Sequence, residues 1–292
     1  MVAQYGIVEL MSQRKIKIDK VVLENLYCKK NLSPYKIGEV FKCSFSTITN
    51  RLKEFNIPLK SPAAARMKYK KIDFDNNLEN KAYMLGFRLG DLNVYKRSEL
   101  SETIVVRCHT TQKSQVEVIE SLFNKFGKVT TSFREPNHLT ANCFLNRSFD
   151  FLLSKEKDSW SWIASEKKVA PAFIAGYTDA EGNFILNQGR ARFKIDSYDY
   201  DILNWISGYL KDVGIDNKFQ CTYKKGELNG NAFFNKDLWR LNINYAHAVS
   251  KFIKLIIPYM KHHKRIKDAK ECLKNAELRI KKWNRQTYAI SV

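Results

Sequence analysis

The stretch Phe173–Gly182, FIAGYTDAEG, decides how the chain is read. Gly176 and Ala180 stand four apart, so on a helix they share one face and leave it almost bare of side chains. Such a face admits the backbone of a second helix at short range. Glu181 then closes the helix, where its charge opposes the negative end of the helix dipole. An earlier stretch, Met84–Leu92, MLGFRLGDL, repeats the pattern: Gly86 matches Gly176, Gly90 matches Ala180, and Asp91 matches Glu181. The expectation is that two helices pack through Gly86, Gly90, Gly176 and Ala180 and bring Asp91 and Glu181 together at the base of their interface.

Two carboxylates held that close are costly without a cation. Mg²⁺ prefers hard oxygen ligands and keeps several waters, so two acids plus phosphate oxygens make a plausible site for it. Mn²⁺ or Ca²⁺ can substitute for it in binding. Such an ion can orient and activate water and stabilise the leaving oxygen of a phosphodiester.

Composition points to the same kind of substrate. The 292 residues include 50 Lys and Arg against 30 Asp and Glu, a formal net charge of +20, which suits a polyanionic partner. A hydrophobic content of 44%, with aromatic residues making up 13% of the chain, is enough for ordinary cores. No apolar run approaches the roughly 20 residues that span a bilayer. The best candidate, FIKLIIPYM, is interrupted by Lys254 and Pro258, and the N-terminus lacks an apolar signal core. Cys28, Cys43, Cys108, Cys143, Cys221 and Cys272 show no CxxC spacing, which argues against a zinc site or a disulfide framework. These features predict an intracellular protein with no membrane partner.

The chain also repeats beyond the two glycine-bearing stretches. VRCHTTQKSQVEVIESLFNKFG, residues 106–127, aligns without a gap on FKIDSYDYDILNWISGYLKDVG, residues 193–214. In both, a strand-like segment runs into a helix with apolar i, i+3, i+7, i+10 spacing, and a glycine closes it. Strand-like segments alternate polar and apolar residues, so each presents one face to a core and one to a partner. The outward residues are Arg190, Arg192 and Lys194; Lys218, Gln220, Thr222 and Lys224; Lys128, Thr130, Ser132 and Arg134; and Arg240, Asn242 and Asn244. Such side chains hydrogen-bond phosphates and base edges, and acids are nearly absent among them.

Ahead of the repeats, Leu23–Ile57 holds three short helical patterns. Ser33-Pro34 caps and starts one of them. After the turn Lys42-Cys43-Ser44, Phe45, Ile48, Leu52 and Phe55 form the core-facing stripe of the next, leaving Ser46, Thr47, Asn50 and Arg51 outward. Helix, tight turn and polar second helix resemble a helix-turn-helix DNA-binding module. Adjacent histidines His262 and His263 diverge on a helix, so they are expected to be solvated or phosphate-facing rather than a chelating pair.

The paired stretches resemble the two motifs of single-chain LAGLIDADG homing endonucleases. FIAGYTDAEG matches closely; MLGFRLGDL keeps the glycine and terminal acid but has Leu89 where the first acid usually stands and Leu92 where glycine follows. The resemblance implies an α+β fold of two pseudo-symmetric αββαββα half-domains, residues 76–160 and 161–292, whose antiparallel sheets form a saddle over double-stranded DNA. It implies metal-dependent cleavage of both strands at a long site by a monomer, with Asp91 and Glu181 as the metal-binding acids. By analogy, Arg107 and Lys194, which align in the repeat, would polarise a water or a phosphate oxygen. Residues 1–58 then form a helix-turn-helix extension and 59–75 a basic linker. The alternative is a nucleic-acid-binding protein of the same fold that does not cleave, either an intron RNA maturase or a regulator.

Overall fold

Ser33 and Ser44 each stand in extended backbone just before a helix and accept a free amide of its first turn, from Lys36 at 3.3 Å and Thr47 at 3.2 Å. They start α2 (Pro34–Phe41) and α3 (Phe45–Glu54), which follow α1 (Lys20–Glu24) and its π-helical continuation Asn25–Lys29. Between α2 and α3, Lys42 takes the left-handed conformation (φ 54°) that ends the first helix. The computed structural model describes residues 17–30, 32–60, 69–135, 137–230 and 232–290. It divides the chain into two compact units, Met1–Lys68 and Tyr69–Val292.

The smaller unit has its own core of Leu23, Tyr27, Ile37, Ile48, Leu52 and Ile57. Phe45, expected in that core, is 58% exposed. It opens α3 one turn before Ile48, beyond the reach of the short helices packed behind it. Residues 1–16 of the expected N-terminal domain and 61–68 of the expected linker lie outside the described residues. The end of that linker belongs to the larger unit: Phe74 is buried among Phe126, Phe149 and Phe151, and the Ile72 amide donates to the Phe126 carbonyl at 2.8 Å. An aromatic and an extended backbone with a free donor are what bind a polar-looking segment down.

In the larger unit Asn77 caps α4 (Leu78–Gly90). The chain continues through β1 (Asn93–Tyr95), β2 (Ile104–Thr110), α5 (Lys113–Phe123), β3 (Val129–Glu135) and β4 (His138–Leu145). A 3-10 helix, Arg147–Leu152, follows. The second pass runs α6 (Ala170–Glu181), β5 (Asn183–Asn187), β6 (Arg190–Ser197), α7 (Tyr200–Asp212), β7 (Lys218–Tyr223), a small hairpin β8 (Leu228–Asn229) and β9 (Ala232–Phe233), β10 (Leu238–Ile243) and α8 (Ala246–Ile256). A long helix, α9 (His263–Ile290), comes last. The two four-stranded antiparallel sheets have the same order, β1-β2-β4-β3 and β5-β6-β10-β7. The αββαββα plan is complete in the second pass, whereas in the first the closing helix is replaced by the 3-10 turn.

Helices α4 and α6 are buried on nearly every side, from Ala82 to Leu89 and from Ala170 to Ala180. Their contact is backbone to backbone. A Cβ added at Gly86 would overlap the Phe173 carbonyl, and one at Gly176 would overlap the Tyr83 carbonyl. At Gly90 it would strike the Ala180 Cβ and come within 3.1 Å of a Glu181 carboxylate oxygen. The four small residues therefore interlock, and the interface registers the two helix ends against each other.

Candidate active site and nucleic-acid interface

Asp91 caps the C-terminus of α4 and Glu181 ends α6, two residues before β1 and β5 begin. Glu181 is half-buried, and its carboxyl is raised above the ordinary range, first by burial and next by the charge of Asp91. Asp91 keeps contact with solvent, yet the protein crowded behind its carboxyl raises it as well, against a hydrogen bond from the Gln115 amide. The two acids thus feel each other across the interface. Among the described residues no group of three or more His, Cys, Asp or Glu comes together that could hold a metal. Two hard carboxylates with open solvent on one side fit an ion that draws its remaining ligands from water and phosphate.

Two cations that the sequence reading missed complete this site. Lys155 donates to the Leu89 carbonyl at 3.1 Å, and Arg265 donates to the Ala180 carbonyl. Both act electrostatically on Asp91 and Glu181. Burial holds Lys155 and Arg265 below their usual ranges, while the acids pull them back up. No local pattern marks these residues: one comes from an irregular segment after the 3-10 helix, the other from the start of α9. They are met only when the chain closes up.

Asp179 is fully buried, and one of its oxygens accepts from the Tyr83 hydroxyl at 2.6 Å, the Lys261 amide at 2.6 Å and the His262 amide at 3.0 Å. It therefore joins α6 to both α4 and the entry of α9. The side chain of its counterpart Leu89 packs in the apolar core. Beside Leu89, Arg88 is buried against carbonyls of Leu92, Leu152 and Leu153, and burial pushes it down to about 10. His262, expected to face solvent or phosphate, is buried against Ser114 at 3.3 Å, and burial lowers it to about 4. The segment between α8 and α9 points it into the interior while His263 stays exposed.

The sheets order the expected contact residues into rows. In the second sheet Asn183 pairs with Lys194, Lys194 with Asn242, and Asn242 with Lys218. The first sheet has the matching row Asn93, Arg107, Asn142 and Thr130. Lys194 and Arg107 thus sit in equivalent places, each one strand across from the residue two beyond an acid. Arg107 donates to the Asn142 side chain at 2.8 Å and lies 5.5 Å from the Tyr95 ring. The next row of the second sheet is Asp196, Arg240 and Gln220. Asp196 puts an acid on this face: it accepts from Nε and a terminal nitrogen of Arg240 and lies 3.5 Å from Lys194. Lys224 lies just beyond β7 and pairs with Asp237 at 3.4 Å. Lys128 precedes β3 rather than starting it, against the Tyr69 ring at 4.6 Å. The side chain of Arg134 lies outside the described residues. In the smaller unit Ser46 and Asn50 are exposed, Thr47 bonds to Ser44 at 2.9 Å, and Arg51 pairs with Glu54.

Residues 168–256 match the family described as LAGLIDADG-like domain. No curated protein matches the sequence. Among solved structures, I-DmoI in complex with DNA and Ca is 16% identical over 61% of this chain and 89% of its own, with a TM-score of 0.43. The LAGLIDADG meganuclease I-AabMI bound to uncleaved DNA is 11% identical over 68% and 91%, at 0.41. The N-terminal LAGLIDADG domain of DUF199/WhiA is 12% identical over 63% and 86%, at 0.43. The match spans α6, both hairpins of the second sheet and α8, and ends where α8 ends, so residues 168–256 of this α+β chain correspond to a LAGLIDADG-like domain.

Proposed function

We propose that the protein is a site-specific, metal-dependent endonuclease of double-stranded DNA. The observation that supports this most is the pair Asp91 and Glu181, set at adjoining helix ends by a side-chain-free interface and each raised by burial. Folding has placed two like charges where they destabilise each other, and a divalent cation relieves that cost. Asp91 and Glu181 would hold it; bound there, it would activate water and stabilise the leaving oxygen of a phosphodiester. Lys155 and Arg265 offset part of the carboxylate charge, while the rows through Arg107 and Lys194 run from the acids across the sheets and bind the phosphates and base edges of the duplex. Residues Ser46, Thr47, Asn50 and Arg51 on α3 extend the footprint as a helix-turn-helix module.

Selection of cleaved sites from a randomised duplex library, with Mg²⁺ and beside a metal-free control, tests this. The expected result is one long site cut on both strands only with metal. One observation favours a second reading, a binding protein that does not cut: Lys155 and Arg265 are built-in counter-charges that leave less need for a metal. Recovery of bound, uncut DNA in the presence of metal would establish that reading instead.

A further inference from the structure

Beyond the LAGLIDADG-like domain, α9 closes a cavity of about 520 Å³ at the end of the second sheet. Its lining includes Arg190, Arg192, Lys218 and Arg279, with Asn242 and Asn244 and a single acid, Asp216. Neither Asp91 nor Glu181 lines it. The local chain explains how it forms. On β6, Ala191 and Phe193 turn into the core, so Arg190 and Arg192 turn out. The pairing of β10 with β6 ends at Ile243 and Phe193, which leaves the Ala191 amide beyond the last rung. Asn275 of α9 takes its place: its oxygen accepts from that amide at 3.0 Å, and its amide donates to the Gly189 carbonyl at 3.1 Å. Arg279 stands one helical turn further along the same face, over the cavity.

The charge pattern separates this place from the rest of the sheet. Arg240 and Lys194 are answered by Asp196, and Lys224 by Asp237. Among the described residues Arg190, Arg192, Lys218 and Arg279 show no ion pair or side-chain hydrogen bond. Four cations around one acid in so small a volume repel one another, and a phosphate, which matches guanidinium groups in a bidentate fashion, removes the repulsion. Lys218 and Asn242 belong both to the cavity and to the row Asn183, Lys194, Asn242, Lys218, so a strand lying along that row passes its mouth.

We propose that α9 is a DNA-anchoring addition to the domain, and that Arg279 with Arg190, Arg192 and Lys218 clamps one backbone phosphate of the bound duplex. The inference rests on the DNA-binding reading above. The test uses the full chain and a duplex recovered by library selection, in Ca²⁺. Affinity is measured against salt for the wild type, Arg279→Ala and Arg279→Lys, beside ethylation interference. Loss of one phosphate contact makes the slope of log K against log salt shallower by about 0.9. Arg279→Ala should show that change and lose interference at one phosphate, while Arg279→Lys should restore the slope. If the wild type binds but Arg279→Ala keeps both the slope and the interference pattern, the clamp is refuted while the DNA-binding reading stands. If no duplex binds the wild type, both fall. A titration with inorganic phosphate provides the other arm: thermal stabilisation that Arg279→Ala abolishes, with an unchanged DNA slope, would make the cavity a site for a small anion and overturn the clamp.

Discussion

Asp179 and Leu89 hold matching places in the two motif helices and do unlike things. Leu89 packs; Asp179 gathers a hydroxyl and two backbone amides around one oxygen, all of them inside the protein. Replacing Asp179 by Leu would leave those donors buried without an acceptor, at a cost of about 3 kcal/mol, whereas Tyr83→Phe, which removes a single donor, should cost about 1 kcal/mol. Urea unfolding of both variants checks the ordering, and equal effects would show that the amides find other acceptors. Glu181 behaves in the opposite sense. Its carboxyl is raised in the folded state by burial and by Asp91, so the folded protein binds a proton more readily than the unfolded chain. The contribution of this group to stability therefore rises as pH falls through the raised value and levels off below the unfolded one. Glu181→Gln should accordingly melt higher than the wild type near neutral pH without metal, with the gap closing in acid. The same substitution should retain DNA binding and lower metal-dependent cleavage by about a hundredfold or more. Cutting at the normal rate would remove Glu181 from the chemistry.

At the scale of elements, the contact of α4 with α6 has little room for adjustment, because Gly86 and Gly176 each face a carbonyl of the other helix rather than a side chain that could turn away. Gly176→Ala should therefore destabilise the larger unit by about 3 kcal/mol, at the upper end of what overpacking costs, and an unchanged melting temperature would contradict the docking. This interface was legible in the sequence, since small residues four apart carry their meaning locally, and so were the sheets, whose alternation fixes which residues face out. What escaped was whatever depends on segments meeting. Lys155 and Arg265 reach the acids from distant parts of the chain. Asp196 looked like the end of a basic alternation until Arg240 came opposite it in the register. His262 was read by its neighbour in sequence, but its surroundings come from Ser114 and Asp179, across the fold. Phe45 carried the right period for a core that the short helices are too small to extend over it.

For the whole molecule, the separate cores of the two units carry a consequence. Leu23, Ile37, Ile48 and Leu52 are completely buried within the smaller unit, and among the described residues the core of the larger unit draws on none before Phe74. Residues 69–292 alone should then fold with an unchanged melting transition, since that core is made of their own residues. The functional effect should differ from the structural one. If α3 reads DNA, removing residues 1–68 shortens the protected duplex at one flank only and makes the salt dependence of binding shallower, in proportion to the phosphates released. Cleavage at saturating protein should persist, because Asp91, Glu181, Lys155 and Arg265 all remain. Footprinting of the full chain and of residues 69–292 on the same duplex distinguishes the possibilities: equal footprints would mean that the smaller unit serves something other than DNA contact, and loss of protection over the central site would mean that the larger unit does not bind by itself.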